Sequence, residues 1–168
     1  MADKRNVILC GFMGVGKSSV GKKLSELMGR EFLDMDEVIK VEEGISIPQI
    51  FSSRGEQAFR ELEADLIDRI AQRTELVVAT GGGAIANPQN LAKLKSCGVL
   101  VTLMADIPTI LSRVGSGDNR PMLQAVDREE RIKSLLDKRS PAYAQADFII
   151  NTSSLTIDEV AQEILKFL

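Results

Sequence analysis

Residues 11–18 read Gly-Phe-Met-Gly-Val-Gly-Lys-Ser, a G-x-x-x-x-G-K-S octet set between two different hydrophobic patterns. Before it, Asn6–Cys10 is a short apolar run that reads as a strand. After it, from Lys17 to about Met28, Val20, Leu24, Leu27 and Met28 recur at helical spacing, and Gly29 supplies a stop. Strand, glycine-rich turn and helix in that order constrain the fold more than any other feature of the chain. The glycines let the backbone curl until successive N–H groups point at one phosphate. The helix N-terminus adds a partial positive charge at the same place. Lys17 contributes a full charge, and the Ser18 hydroxyl is a ligand suited to Mg²⁺. Such a loop specifies a nucleoside triphosphate and leaves open what is done with it.

Downstream, short apolar runs alternate with longer periodic ones, the pattern of an α/β fold with a parallel sheet. Further strands are expected at Phe32–Asp34, Glu75–Ala79, Val99–Met104 and Phe148–Ile150. Glu37 to about Ser53 reads as two short helices broken near Gly44, with Pro48 in the first turn of the second. Gly55–Arg73 reads as a long helix with Phe59, Leu62, Leu66 and Ile70 on one stripe. Pro88–Ser96 and Ile107–Val114 are shorter helices, the latter capped by Asp106. Gly115–Ala125 has no periodicity and reads as a loop. Asp127 and Glu130 open a helix expected to stop before Pro141. Thr156 and Glu159 open a last one with Ile157, Val160, Ile164 and Leu168 on its apolar stripe. A length of 168 residues suits a single domain spanning 1–168.

Composition removes several classes of function. The chain has no histidine, which excludes an imidazole base, a Ser-His or Cys-His pair and a His-ligated metal. Its 21 basic and 24 acidic residues leave a net charge of −3, which argues against a duplex nucleic-acid binder. Cys10 and Cys97 lie far apart and form no CxxC pair, so neither a zinc site nor a redox motif is indicated. Two thiols, no secretory signal core and no membrane-length apolar run lead to the expectation of a cytoplasmic protein without a membrane partner.

The remaining question is kinase, motor or switch. Neither N-K-x-D, which reads guanine, nor D-x-x-G, which carries a switch, occurs in the chain. The strand Leu76–Ala79 closes on Thr80 and Gly81-Gly82-Gly83 rather than on the acidic residue a motor ATPase uses. A small phosphotransferase remains, and it needs an acceptor pocket, a magnesium carboxylate and a lid. Asp34 and Asp36 lie two apart at a strand end, so strand alternation would turn both carboxylates to one cleft. One suits Mg²⁺ and the other a substrate hydroxyl, unless the pair lies in a solvated loop or caps a helix, as Asp36 could. Arg60 is flanked by Glu56 and Glu63 at helical spacing, either as a surface ladder or with Glu63 orienting the guanidinium. Arg139 continues the apolar stripe of Ile132, Leu135 and Leu136, so it points inward and needs an anionic ligand or a buried acid. The triple glycine admits close approach of a ligand to backbone, unless it is a plain turn. Asp118-Asn119-Arg120-Pro121 sits in the long loop, which is either a lid with a central arginine or mobile surface.

Together these segments resemble shikimate kinases over nearly the whole chain. The resemblance rests on Gly11–Ser18, Leu33-Asp34-Met35-Asp36, the run from Ile50 to Glu63, Gly81–Gly83, Asn119-Arg120-Pro121 and Lys138-Arg139-Ser140-Pro141-Ala142-Tyr143. It implies a P-loop fold of the nucleoside-monophosphate-kinase type, with a five-stranded parallel sheet in order 2-3-1-4-5, a substrate segment near 34–62 and a lid near 114–125. It implies ATP and Mg²⁺, transfer of the γ-phosphate to the 3-hydroxyl of shikimate, and a monomer. Gly14, Val15, Gly16, Lys17, Ser18 and Ser19 would hold the nucleotide. Arg113 would stack near adenine, and Lys17 and Arg120 would stabilise the transferring charge. Ser18 and, through water, Asp34 would serve the metal. Arg60 and Arg139 would meet the carboxylate of shikimate, with Glu63 supporting Arg60. Asp36 and the Gly81, Gly82 and Gly83 backbone would meet its hydroxyls. Ile47, Phe51 and Phe59 would line the ring pocket. One departure is visible: Asn151-Thr152-Ser153-Ser154 lacks the arginine that family members often place by the adenine edge. A gluconate kinase of similar fold and a non-enzymatic nucleotide switch are the competing readings.

Overall fold

The computed structural model describes residues 3–114 and 127–168, so Arg120 and the rest of the expected lid beyond Val114 lie outside the described residues. In chain order the elements are β1 (Asn6–Cys10), α1 (Lys17–Met28), β2 (Glu31–Asp34), α2 (Met35–Glu43) and α3 (Ile47–Ile70). There follow β3 (Leu76–Ala79), a 3₁₀ turn (Ala84–Ala86), α4 (Pro88–Cys97), β4 (Gly98–Met104), α5 (Ile107–Val114), α6 (Arg128–Tyr143), β5 (Phe148–Asn151) and α7 (Ile157–Leu165). The five strands form one parallel sheet in the order β2-β3-β1-β4-β5, as the resemblance implied.

β1 and β3 are buried throughout, as expected of central strands with helices on both faces. Polar Asn6 belongs to this buried set because it completes the sheet where β3 begins. Its side-chain oxygen accepts from the Leu76 N–H at 2.9 Å, and its amide donates to the Arg73 carbonyl at 2.9 Å. α1 packs on β1, β2 and β3 and runs beside α7, while α3 and α4 pack together and α4 lies on β4. Val20 and Leu24 of α1 are buried, whereas Leu27, placed on the apolar stripe by its spacing, is 44% exposed.

Local signals explain most element ends. Gly29 closes α1 and Gly44 closes α2, both in the left-handed conformation. Ser46 and Gln49 form a capping box at the start of α3, with Pro48 in its first turn. Gly55, at φ 85° and ψ 171°, breaks α3 where the sequence suggested one helix ending and another beginning. Asp106 and Asp127 cap α5 and α6, accepting from Thr109 N and Glu130 N. Thr156 and Glu159 cap α7 reciprocally. The expected stop before Pro141 is not met, since α6 runs on to Tyr143. A proline deprives the carbonyl four residues back of its donor. Here that carbonyl belongs to Asp137, and the Ser140 hydroxyl donates to it at 3.4 Å.

Parallel pairing brings the C-terminal ends of all strands to one edge. Register aligns Asp34 of β2 with Ala79 of β3, and Ala79 with Leu9 of β1. The residues just beyond that level are Met35-Asp36, Thr80–Gly83 and the phosphate loop. Three adjacent strands thus deliver three chemical elements to one crevice.

Asn6→Leu keeps the shape of the side chain but strands the buried Leu76 N–H and the Arg73 carbonyl. It is expected to cost about 1–3 kcal/mol in urea unfolding with catalysis unchanged, since Asn6 lies at the opposite edge of the sheet.

Candidate active site

The phosphate loop is held open by backbone that favours glycine, with φ of 138° at Gly11, 80° at Gly14 and 105° at Gly16. The Lys17 ammonium lies across the loop and donates to the carbonyls of Gly11 and Phe12 at 2.7 and 2.9 Å. Gly14, Gly16, Lys17, Ser18 and Ser19 line the cleft, whereas the Val15 side chain is buried beneath it. The Ser18 hydroxyl donates to Asp34 Oδ2 at 2.5 Å. The other oxygen of Asp34 accepts from the N–H groups of Asp36 and Glu37, which makes Asp34 the N-cap of α2.

This corrects the sequence reading of the paired aspartates. β2 ends at Asp34 and α2 begins at Met35, so Asp36 stands in the first helical turn and not on the strand. Both carboxylates still line one cleft, brought there by the helix start rather than by strand alternation. The cap is Asp34, not Asp36. A hydroxyl and a carboxylate in contact beside the phosphate loop form a hard-oxygen donor pair that suits Mg²⁺, which takes one or two protein ligands and completes its shell with phosphate and water.

The cleft has a volume of about 500 Å³. Beyond the phosphate loop it is walled by Asp36, Ile47, Phe51, Phe59, Arg60, Glu63, Gly81, Gly82, Gly83 and Arg139, every acceptor-side residue named from the sequence. Phe51 and Phe59 meet with ring centroids 5.0 Å apart, and the Arg60 guanidinium lies 5.4 Å from the Phe59 ring. The triple glycine is a close-approach site. A Cβ on Gly81 would stand 2.6 Å from Glu63 Oε1 and 3.0 Å from Asp36 Oδ1. One on Gly83 would stand 2.8 and 2.9 Å from the two terminal nitrogens of Arg60 and 3.0 Å from Arg139 Nη2. One backbone segment therefore has carboxylates at its first residue and two guanidinium groups at its third.

Glu63 is 1% exposed, and Arg60 Nη1 donates to its Oε2 at 2.8 Å. Glu56, on the other side, is an exposed partner of Arg60 at 3.2 Å. The ion pair is therefore an orienting contact on its inner side and a surface ladder on its outer side. Burial pushes the Glu63 carboxyl up from its ordinary value of 4.5, against the pull of Arg60 and with help from the negative charge of Asp36. Arg139 is 6% exposed and lies 5.5 Å from the Phe12 ring. It forms no salt bridge with a carboxylate among the described residues, and its Nη1 is buried without a hydrogen-bond partner there. The nearest buried acid, Glu63, feels the charge of Arg139 but is bonded to Arg60 instead.

The family model described as shikimate kinase matches residues 13–168. A shikimate kinase of Thermodesulfovibrio yellowstonii is 46% identical over 162 residues, covering 96% of this chain and 94% of that protein. The structure of a shikimate kinase from Acinetobacter baumannii in complex with shikimate superposes with a TM-score of 0.95 at 40% identity, covering 98% of this chain and 92% of that one. The chain belongs to the shikimate kinase family. It is accordingly an ATP-dependent kinase with Mg²⁺ as its cofactor. A gluconokinase from Sinorhizobium meliloti has a TM-score of 0.64 at 19% identity, covering 97% of this chain and 90% of that one, a likeness of fold alone.

Within this shikimate kinase fold, Arg113 stands apart from the cleft lining. Its guanidinium donates to the Val15 carbonyl at 3.2 Å, to Thr152 Oγ1 at 3.0 Å and to the Thr152 carbonyl at 3.0 Å. Thr152, buried after β5, in turn reaches the Val15 and Met104 carbonyls. The arginine-free Asn151–Ser154 segment thus fastens the back of the phosphate loop. The sequence reading gave no site role to Thr80, which lines the cleft, or to Tyr143, which lies behind Gly82. Thr80 has a buried hydroxyl without a partner among the described residues. Tyr143 donates its hydroxyl to the Gly82 carbonyl. The signal for Tyr143 was available: it is the chain's one tyrosine and lies four residues after Arg139 on the same helical face.

Two outcomes follow from this packing. Gly83→Ala would push both guanidinium groups out of register, so acceptor affinity is expected to fall about tenfold or more while ATP affinity, read by equilibrium titration, holds. Glu63 carries a raised carboxyl, so the folded chain binds its proton more tightly than the unfolded chain. Its contribution to stability is present below pH 4.5 and is lost as pH rises through the elevated value. Glu63→Gln has no such loss, so its stability relative to the parent should climb across that window in urea unfolding series.

Proposed function

We propose that this protein transfers the γ-phosphoryl group of ATP to the 3-hydroxyl of shikimate, giving shikimate 3-phosphate and ADP, on the route to chorismate and aromatic amino acids. The observation that carries this reading is the convergence of Arg60 and Arg139 on Gly83, opposite Asp36 and beside the phosphate loop. Two fixed positive groups suit a carboxylate, a carboxylate of the protein suits a hydroxyl, and both face the phosphate cradle. A neutral sugar would use neither arginine. The relatives of this chain are named for shikimate, and one was solved with it bound.

The roles follow from placement. Arg60, held by Glu63, and Arg139 fix the acceptor carboxylate. Ile47, Phe51 and Phe59 pack its ring. Asp36 accepts the hydrogen of the reacting hydroxyl, whose oxygen forms the new P–O bond as the bond to the β-phosphate oxygen breaks. Lys17 neutralises charge on the transferring group, and Arg120 does so from the loop outside the described residues. Ser18 and, through water, Asp34 would hold Mg²⁺, which offsets phosphate charge. Arg113 serves the adenine side.

Free thiols at Cys10 and Cys97 support a reducing, cytoplasmic setting. No helix among the described residues is long and apolar enough to cross a membrane.

ADP release from Mg·ATP should rise strongly with shikimate and not with gluconate; stimulation by gluconate alone would move the specificity. Asp36→Asn is expected to lower kcat about a hundredfold or more with ATP binding kept. Arg60→Ala and Arg139→Ala should each raise the acceptor KM about ten- to a hundredfold; unchanged values in both would remove the carboxylate clamp.

A further inference from the structure

The triple glycine meets the phosphate side and the acceptor side at Gly82. A Cβ built there would lie 3.3 Å from Arg139 Nη1, 3.5 Å from the Met13 N–H nitrogen and 3.8 Å from the Gly11 carbonyl. The segment is tied down at its flanks, where Ala84 N donates to the Gly81 carbonyl at 3.1 Å and Ala86 N to the Gly83 carbonyl at 3.2 Å. Neither bond fixes the peptide plane between Gly82 and Gly83. Glycine on both sides of that peptide leaves its rotation unusually free.

One side chain does fix it. The Tyr143 hydroxyl donates to the Gly82 carbonyl at 2.5 Å. Tyr143 is itself held at both ends. Its ring is buried, and its carbonyl accepts from Thr102 Oγ1 of β4 at 2.7 Å, with Cys10 Sγ a further 3.1 Å from that hydroxyl. In a planar trans peptide the carbonyl and the following N–H point in opposite directions. Drawing the Gly82 oxygen toward α6 therefore turns the Gly83 N–H away from α6. That N–H has no acceptor among the described residues.

We propose that Tyr143 is a positioning residue of the acceptor site, whose hydroxyl sets the Gly82–Gly83 peptide plane so that the Gly83 N–H faces the bound acid's hydroxyl. It acts through the glycine backbone and touches no reacting atom. It lies one helical turn beyond Arg139, so a single helix places both the clamp arginine and the peptide lock. Burial raises the Tyr143 phenol to about 12, so it stays a donor throughout the working pH range. The proposal rests on shikimate being the acceptor.

The test is Tyr143→Phe, which keeps the ring and removes one hydroxyl, compared with the parent enzyme. Direct titration of the parent with shikimate comes first: no binding there would overturn the acceptor assignment, and this proposal with it. Given binding, the variant should show a five- to tenfold rise in shikimate KM, an ATP KM within twofold, and a nearly unchanged unfolding midpoint. The Gly83 amide, observed by ¹⁵N–¹H correlation, should shift on adding shikimate to the parent and shift far less in the variant. Unchanged shikimate KM with the same Gly83 response would overturn the positioning role. Equal losses in shikimate and ATP affinity, with a lowered midpoint, would also overturn it, by showing that the hydroxyl serves packing alone. Tyr143→Leu, which loses ring and hydroxyl together, should repeat the selective KM effect at lower stability; a selective effect in Tyr143→Leu but none in Tyr143→Phe would assign it to the ring and overturn the hydroxyl's role.

Discussion

A carboxylate with 1% of its surface exposed stands at the centre of the acceptor side, and much around it answers to that burial. Ionised Glu63 is costly away from water unless a cation lies against it. Arg60 supplies the cation and is thereby fixed in one orientation, with its other face turned toward Gly83. Gly81 has no side chain because Glu63 Oε1 and Asp36 Oδ1 occupy the space a Cβ would need. The raised Glu63 carboxyl records the cost of the arrangement: burial and the nearby Asp36 outweigh the pull of two arginines. Glu63 therefore sets the orientation of Arg60 and leaves no room for a side chain at Gly81.

The sheet supplies the second constraint. Because β2, β3 and β1 end at one level, their loops face each other across a few ångströms without any long excursion of the chain. Asp34 shows how closely the functions are coupled. One oxygen caps α2 and the other takes the Ser18 hydroxyl, so the start of the acceptor segment and the start of the nucleotide helix share one carboxylate. Removing it would disturb a helix terminus and the Ser18 hydroxyl at once, and a loss of activity in an Asp34 variant would not separate them.

Much of this was legible in the sequence because its signals were local. The phosphate loop lies between a strand and a helix, the caps at Asp127 and Thr156 have fixed spacing, and Arg139 continues an apolar stripe. What was not legible turns either on which of two local signals wins or on tertiary partners. Pro141 reads as a stop, yet the helix continues to Tyr143, with the Ser140 hydroxyl on the carbonyl that proline leaves without a donor. Asp34 and Asp36 read as strand neighbours, yet a helix begins between them, and its N-terminal turn, capped by Asp34, decides the matter. Leu27 fits the stripe by spacing, yet the fold leaves it 44% exposed. Arg113 reads as an adenine contact, and only the folded chain places Thr152 beneath it. The role of Tyr143 needed the fold most, since its partner Gly82 is 61 residues away.

The absence of histidine takes on a positive meaning in this site. Phosphoryl transfer through a loose transition state asks more for placed charge than for a base matched to neutral pH. The groups gathered here are arginine, lysine and carboxylates, residue types whose ordinary values lie outside the range in which an imidazole titrates. Tyr143 stays protonated because burial lifts it to about 12, and Cys10 stays a thiol because burial lifts it to about 11. Burial moves the Glu63 carboxyl upward, behind Arg60. Its protonation would loosen the arginine and weaken acceptor binding before it touched the chemistry. The acid limb of activity should therefore surface first in acceptor affinity, with ATP affinity following its own carboxylates.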